Sequence, residues 1–239
     1  MAPVAKVLGE SFRVLEPFQR TSGKVRLTVA RHVADLDEMI EQQHTIAPPA
    51  LVGHSWGAML ALAYAAAHPG SVRAVGLIGC GTFDKASRAR MNFLLDQRFT
   101  PPLRRKIERI REEFSDPDKK LKAIGEFLLP LYSYDPVPEE REETRFDARG
   151  GEETWKDMLR LQESGLYPAA FRAIKVPVLM MHGAVDPHPG TMIRDSLLPY
   201  LPQLEYREWR HCGHYPWLER AVRGEFFVLL RDWLGLVSQ

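Results

Sequence analysis

The stretch Gly53-His54-Ser55-Trp56-Gly57 stands between an apolar run, Ala50-Leu51-Val52, and a helix-forming run from Ala58 to Ala67. Strand, sharp turn and helix is the context in which Gly-x-Ser-x-Gly has a mechanism. The glycines at 53 and 57 permit a tight turn because they carry no Cβ. Ser55 is then held at the carboxyl end of a strand. The following helix aims its amino terminus, with its partial positive charge, at the same place. A strand that must be followed directly by a helix points to an α/β chain.

The rest of the sequence alternates in the same way. Phe12-Arg13-Val14-Leu15-Glu16 reads as a short strand closed by Pro17. Thr28 caps a helix whose apolar positions Val29, Val33, Leu36 and Ile40 recur at helical spacing. Strands are expected at 49–53, 74–78, 176–181 and 204–209. A final helix is expected within 219–236. Such alternation implies a mostly parallel sheet with helices on both faces. From Asp84 to Phe171 the texture changes: strand-like runs vanish, charge rises, and helices are expected at 102–114, 119–129 and 152–163. The organisation expected is a core of 1–83 and 172–239 with a helical insertion, 84–171.

Composition excludes more than it identifies. The 239 residues carry a net charge of +1, and no basic stripe with interleaved aromatics suggests nucleic acid as a partner. Cys80 and Cys212 make no disulfide framework. No apolar run approaches the ~20 residues that span a bilayer. The start has no signal-peptide pattern, and a cytoplasmic location is expected. The chain is expected to be a monomer or homodimer acting on a small molecule, away from membranes.

A serine nucleophile needs a base, and the base an orienting acid. Asp186 follows the strand at 176–181, and His214 lies between the last strand and the last helix. The order Ser55, Asp186, His214 puts all three at one sheet edge, where chemistry gathers in open α/β sheets. Asp84 is the rival acid, after the strand that follows the serine. Asp186 could instead cap a turn before Pro187, and His214 could be a structural turn residue. His211 and His214 lie three apart, but no third ligand has suitable spacing, so no metal and no cofactor are expected. His54 is expected to pack at the turn, and His182 to stabilise the turn before Asp186.

The motifs Gly-His-Ser-Trp-Gly (53–57), His-Gly-Ala-Val-Asp (182–186) and Gly-His-Tyr-Pro-Trp-Leu-Glu (213–219) resemble the α/β-hydrolase family. The resemblance is to cap-bearing serine hydrolases: esterases, C–C bond hydrolases and prolyl aminopeptidases. It implies Ser55 as nucleophile, His214 as base, Asp186 as acid and the Trp56 backbone N–H as an oxyanion donor. It implies that 84–171 is a cap. Trp56, Phe83, Tyr132 and Trp155 are candidate pocket walls, and Phe93, Phe99 and Tyr134 belong to the same set. Each could equally pack within its own segment.

The departure from the family lies at the amino terminus. Residues 3–11 resemble the family's first helix and 12–16 the strand after it, so the family's amino-terminal strands are absent. The His-Gly-rich loop that donates the second oxyanion N–H is absent with them. The chain reads as an amino-terminally shortened hydrolase. Loss of one oxyanion donor typically costs about a hundred- to a thousandfold in turnover. The first expectation is a serine esterase forming an acyl-enzyme. A prolyl-aminopeptidase-like activity is the alternative, with one of Glu139, Glu140, Glu142 and Glu143 on the substrate's amine. A non-catalytic binding protein is the other.

Overall fold

The computed structural model describes residues 1–45, 47–138 and 145–238. Glu139, Glu140, Glu142 and Glu143 lie outside them. Four strands, β1 (Ala50–His54), β2 (Ala74–Ile78), β3 (Val178–Gly183) and β4 (Leu204–Trp209), form one parallel sheet in chain order. The register pairs His54 with Ile78, Ile78 with Met181, and Gly183 with Trp209. β2 and β3 lie in the middle and are buried throughout, which is why they read as unbroken apolar runs.

Side chains alternate across the sheet. Val75, Leu77, Val178 and Met180 join the core formed by α2 (Val29–Glu41) and α3 (Trp56–Ala67) on one face. Ala74, Ile78, Leu179 and Met181 join α1 (Ala2–Leu8) and α9 (Arg223–Leu236) on the other. α3 is buried from Ala58 to Tyr64 and on to Ala65 with no polar stripe, as a helix apolar all round must be. Full burial of a side chain such as Leu62 or Met180 contributes about 1.5–3 kcal/mol. Thr28 caps α2 as its sequence predicts, its Oγ1 accepting from the Arg31 N–H at 3.1 Å.

Between β2 and β3 run α4 (Lys85–Arg98), α5 (Pro101–Glu113), α6 (Pro117–Leu128), a 3₁₀ turn (Leu129–Tyr132) and α7 (Ala148–Glu163). The sequence had not marked α4; its polar, charge-rich surface leaves little periodicity to read. α7 grips the segment before α2. Asp157 accepts from the Val29 N–H at 2.9 Å, Glu153 from the Leu27 N–H at 2.8 Å, and Asp147 from the Ser22 hydroxyl at 2.8 Å. α8 (Gly190–Leu197) connects β3 to β4.

The expected strand at 12–16 does not form. Those residues are irregular, and all but Phe12 are exposed. A strand needs a ladder, and no described strand lies beside this segment. β1 therefore pairs only with β2. Ser55 donates to the Ile78 carbonyl and Arg73 to the Pro49 carbonyl, so odd-numbered residues of β1 face β2. The backbone groups of Ala50, Val52 and His54 face the other way and have no backbone partner among the described residues. Two element ends also shift. The strand expected at 176–181 runs to Gly183, and the last helix begins at Arg223 after a 3₁₀ turn at Pro216–Leu218.

Candidate active site

Ser55 ends β1 with φ 53° and ψ −116°, a left-handed conformation that costs a non-glycine residue about 1–3 kcal/mol. The strain is held in place from both sides. Ser55 N–H donates to the Ile78 carbonyl at 2.9 Å, and its carbonyl accepts from Ala58 and Met59 in α3. Gly53 is required here: a Cβ on it would lie 2.2 Å from the Gly57 carbonyl oxygen. Gly57 is different from what the motif suggests, since a Cβ there would meet nothing within 4 Å. Trp56 opens α3, where the first N–H groups have no helical acceptor. Its indole N–H donates to Gln19 Oε1 at 3.0 Å, and its ring meets His32 edge-on at 6.0 Å.

Asp186 and His214 come together. His214 Nδ1 lies 2.6 Å from Asp186 Oδ2, and both side chains are shut from solvent. The carboxylate accepts, so Nδ1 carries the proton and Nε2 is left with a lone pair. Burial pushes the Asp186 pKa up, but His214 and His182 hold it well below the usual carboxylate value. Burial holds His214 below the ordinary imidazole value against the pull of Asp186. At neutral pH the pair is therefore a carboxylate beside a neutral imidazole.

The imidazole lies beside the elbow. Gly79 follows the residue to which Ser55 donates, and a Cβ on Gly79 would sit 2.9 Å from His214 Nδ1. The rings of His54 and His214 are 4.5 Å apart, and the His54 ring nitrogen Nε2 lies 3.0 Å from the His214 carbonyl. His54 thus packs at the turn as expected, with burial driving its pKa well down. Among the described residues no hydrogen bond joins Ser55 Oγ to His214.

Two further residues share the acid, and sequence reasoning missed one of them. His188 donates its backbone N–H and turns its Nδ1 to Asp186 Oδ1, both at 2.9 Å, and its ring stacks on His214 at 4.7 Å. Its place two residues beyond the acid was the available signal, since Asp side chains commonly bond the backbone two residues on. His182 was placed correctly at this turn. Its Nε2 lies 2.9 Å from the His188 carbonyl and 3.2 Å from Asp186 Oδ2. Asp84, the rival acid, is spent capping α4 through the Ser87 N–H at 2.8 Å.

A strap from the segment after α6 covers His214. The Tyr132 carbonyl accepts from the His214 N–H at 2.7 Å, and the Tyr132 ring meets the imidazole edge-on at 5.5 Å. Gly213 makes this approach possible, because a Cβ there would lie 2.1 Å from the Tyr132 carbonyl oxygen. Glu219, fully buried, fastens the strap: it accepts from Gly213 and Tyr134 at 2.8 Å and from Asp135 at 2.7 Å. Arg98 donates to the carbonyls of Leu131 and Val185, joining the strap to the acid loop. Burial of Tyr132 pushes its hydroxyl up to about 12, so it stays a neutral phenol. Of the other wall candidates, Phe83 is buried against Phe171, with ring centres 5.0 Å apart, and Trp155 is 38% exposed. Tyr134 stacks on His211 at 5.1 Å, and His211 is not among the side chains that gather at the acid, Asp186, His188 and His214.

A parallel sheet that presents a strained serine between strand and helix, beside a buried histidine–aspartate pair, defines a class of α/β protein built around an elbow. The model of the alpha/beta hydrolase family matches residues 9–224, and the chain belongs to that family. The fold is shared with a putative aryl esterase from Burkholderia cenocepacia at 20% identity and a TM-score of 0.60, covering 92% of this chain and 77% of that one. The esterase EaEST from Exiguobacterium antarcticum matches at 18% identity and 0.58, covering 91% and 79%. Proline iminopeptidase from Mycobacterium smegmatis matches at 15% and 0.56, covering 87% and 72%. A sequence comparison with curated proteins finds no match. Among the described residues no helix is long and apolar enough to cross a membrane.

Proposed function

We propose that the chain is a serine hydrolase that cleaves a carboxylic ester or related acyl bond of a small molecule. Ser55 attacks the carbonyl, His214 Nε2 takes the hydroxyl proton, and Asp186 holds the imidazole in the tautomer with its proton on Nδ1. The Trp56 N–H, at the start of α3, faces the developing oxyanion. His214 then protonates the leaving group, and in the second half activates water against the acyl-enzyme. The observation that carries this reading is the 2.6 Å contact of His214 and Asp186 beside a serine held at φ 53°. Residues 84–171 serve as a cap over this site, with Trp56 and Tyr132 nearest the reacting groups and Phe83 and Trp155 as outer candidates.

The test is labelling of the purified chain with a fluorophosphonate, with Ser55→Ala as control. Labelling that disappears in Ser55→Ala supports the reading. A folded, monodisperse chain that does not label refutes it and favours a hydrolase-like binding protein. Turnover of p-nitrophenyl acetate against proline-β-naphthylamide separates esterase from aminopeptidase.

A further inference from the structure

The acid of this site is shared by two imidazoles, while a proton relay through His214 needs only one. Asp186, His188 and His214 each bring one ligand atom to a common point, all within 4.8 Å of one another. Both imidazoles turn Nδ1 to the same carboxylate, at 2.9 and 2.6 Å. Asp186 is closed to solvent, while the His188 side chain is 13% exposed. Two imidazole nitrogens and a carboxylate oxygen are the borderline donors that zinc takes, at about 2.0–2.2 Å each. Around a tetrahedral ion such ligands lie about 3.3 Å apart. The contacts to the carboxylate need to open by less than about 1 Å to reach that spacing, and the two rings, stacked 18° from parallel, must turn so that their Nδ1 lone pairs converge.

We propose that Asp186, His188 and His214 form a reversible site for a borderline divalent cation, zinc foremost, whose occupancy stops His214 from acting as a base. The ion replaces the two Nδ1–H···O bonds. Each ring then holds the ion on Nδ1 and carries its proton on Nε2. His214 then presents N–H where it had a lone pair, and no group remains to take the Ser55 proton. His182 Nε2, 3.2 Å from the same carboxylate, orients the acid as outer-shell donors do in metal sites. The nearest cation, Arg98, is spent on the carbonyls of Leu131 and Val185. The fourth position stays open to water, the pattern of a site that exchanges its ion. The consequence for Ser55 rests on the triad reading above; the binding does not.

Calorimetric titration of the Ser55→Ala chain with zinc chloride tests the binding without any need for activity. One zinc per chain is expected with a micromolar or tighter Kd, and none for magnesium. His188→Asn, which keeps an amide donor near the acid, is expected to weaken zinc at least tenfold, while His211→Asn leaves it unchanged. Equal affinity in His188→Asn overturns the site, as does zinc lost in His211→Asn. Should His188→Asn not fold, the Ser55→Ala chain loaded with cobalt(II) decides: d–d bands of tetrahedral intensity support the site, and weak octahedral bands overturn it. In the wild-type chain, zinc is expected to slow fluorophosphonate labelling at least tenfold, with recovery on adding chelator. Stoichiometric binding with no slowing overturns the claim that His214 is a ligand. If the zinc-free chain does not label at all, the triad reading fails, and the calorimetry still decides the cation site.

Discussion

Replacing Glu219 by glutamine should loosen the strap over His214 by an amount that the hydrogen bonds themselves set. The carboxylate is fully buried and takes three backbone N–H groups, two on Oε1 and one on Oε2. Bonds to a charged acceptor contribute about 1.5–3 kcal/mol each, roughly twice a neutral bond. A glutamine of the same shape keeps the Gly213 and Tyr134 bonds with its oxygen, now as neutral bonds. Its NH2 group meets the Asp135 N–H, two donors face to face, and that N–H is left without an acceptor. The expected loss is about 2–4 kcal/mol in unfolding free energy. Glu219→Ala strands all three donors and should lose about 3–5 kcal/mol. Urea denaturation reads this as a fall in midpoint at constant slope. Amide hydrogen exchange should speed first at Gly213, Tyr134 and Asp135, and at His214, whose N–H depends on the Tyr132 carbonyl. A Glu219→Gln chain within about 0.5 kcal/mol of wild type, with unchanged exchange at those amides, would refute the reasoning.

Other perturbations probe the elbow and the relay. Gly53→Ala should lower the unfolding midpoint by the equivalent of about 3–5 kcal/mol, because its Cβ meets backbone 2.2 Å away and no flexible side chain can yield; wild-type stability would show that the turn is not as drawn. Gly57→Ala, with nothing within 4 Å, should change the midpoint by less than about 1 kcal/mol. Asp186→Asn should keep the fold but cut the labelling rate of Ser55 by about a thousand- to ten-thousandfold, through loss of the productive tautomer of His214. The acid limb of labelling should lie below pH 6.5, since burial holds His214 beneath that ordinary value and keeps it neutral to lower pH; a limb above 6.5 would count against it. Stability has its own acid limb. The unfolded chain protonates Asp186 near 3.8 while the folded one resists, so stability present above that value is lost as pH falls through the range beneath it, measurable as a falling Tm.

The parts of the fold that could be read from sequence are those where the signal is local. Apolar runs marked β2 and β3 to within two residues, because strands buried on both faces have no polar alternation to confuse them; β4, an edge strand exposed at Glu205, Arg207 and Glu208, was marked by its aliphatic and aromatic positions instead. Thr28 marked the start of α2 because capping is decided within three residues. The segment 12–16 misled for the opposite reason: its residues have strand propensity, but a strand exists only with a neighbour, and that is not a local property. Of the candidate site, motif and order pointed to Ser55, Asp186 and His214, and the fold brings Asp186 and His214 into contact. Glu219 stood inside a recognised motif without a role, since two of its three partners, Tyr134 and Asp135, come from a segment far earlier in the chain. Arg98 and Gln19 gain their meaning only from contacts across loops, and no spacing in the sequence announces them; His188 had only its place two residues beyond the acid as a signal.

The strand order of the sheet is the order of synthesis. β1 and β2 are made before the other strands, but β3 lies ~100 residues later, a wait of roughly 5–20 seconds at ordinary rates of elongation. During that interval the nascent two-stranded ribbon has both borders bare, and two-stranded ribbons are marginal in water. Arrival of β3 closes one border. Among the described residues no strand lies beside the other, so the side of β1 facing away from β2 stays an open sheet edge after β3 and β4 have joined. Yield during expression should therefore depend on chain concentration and on chaperone supply more steeply than on the stability of the finished fold.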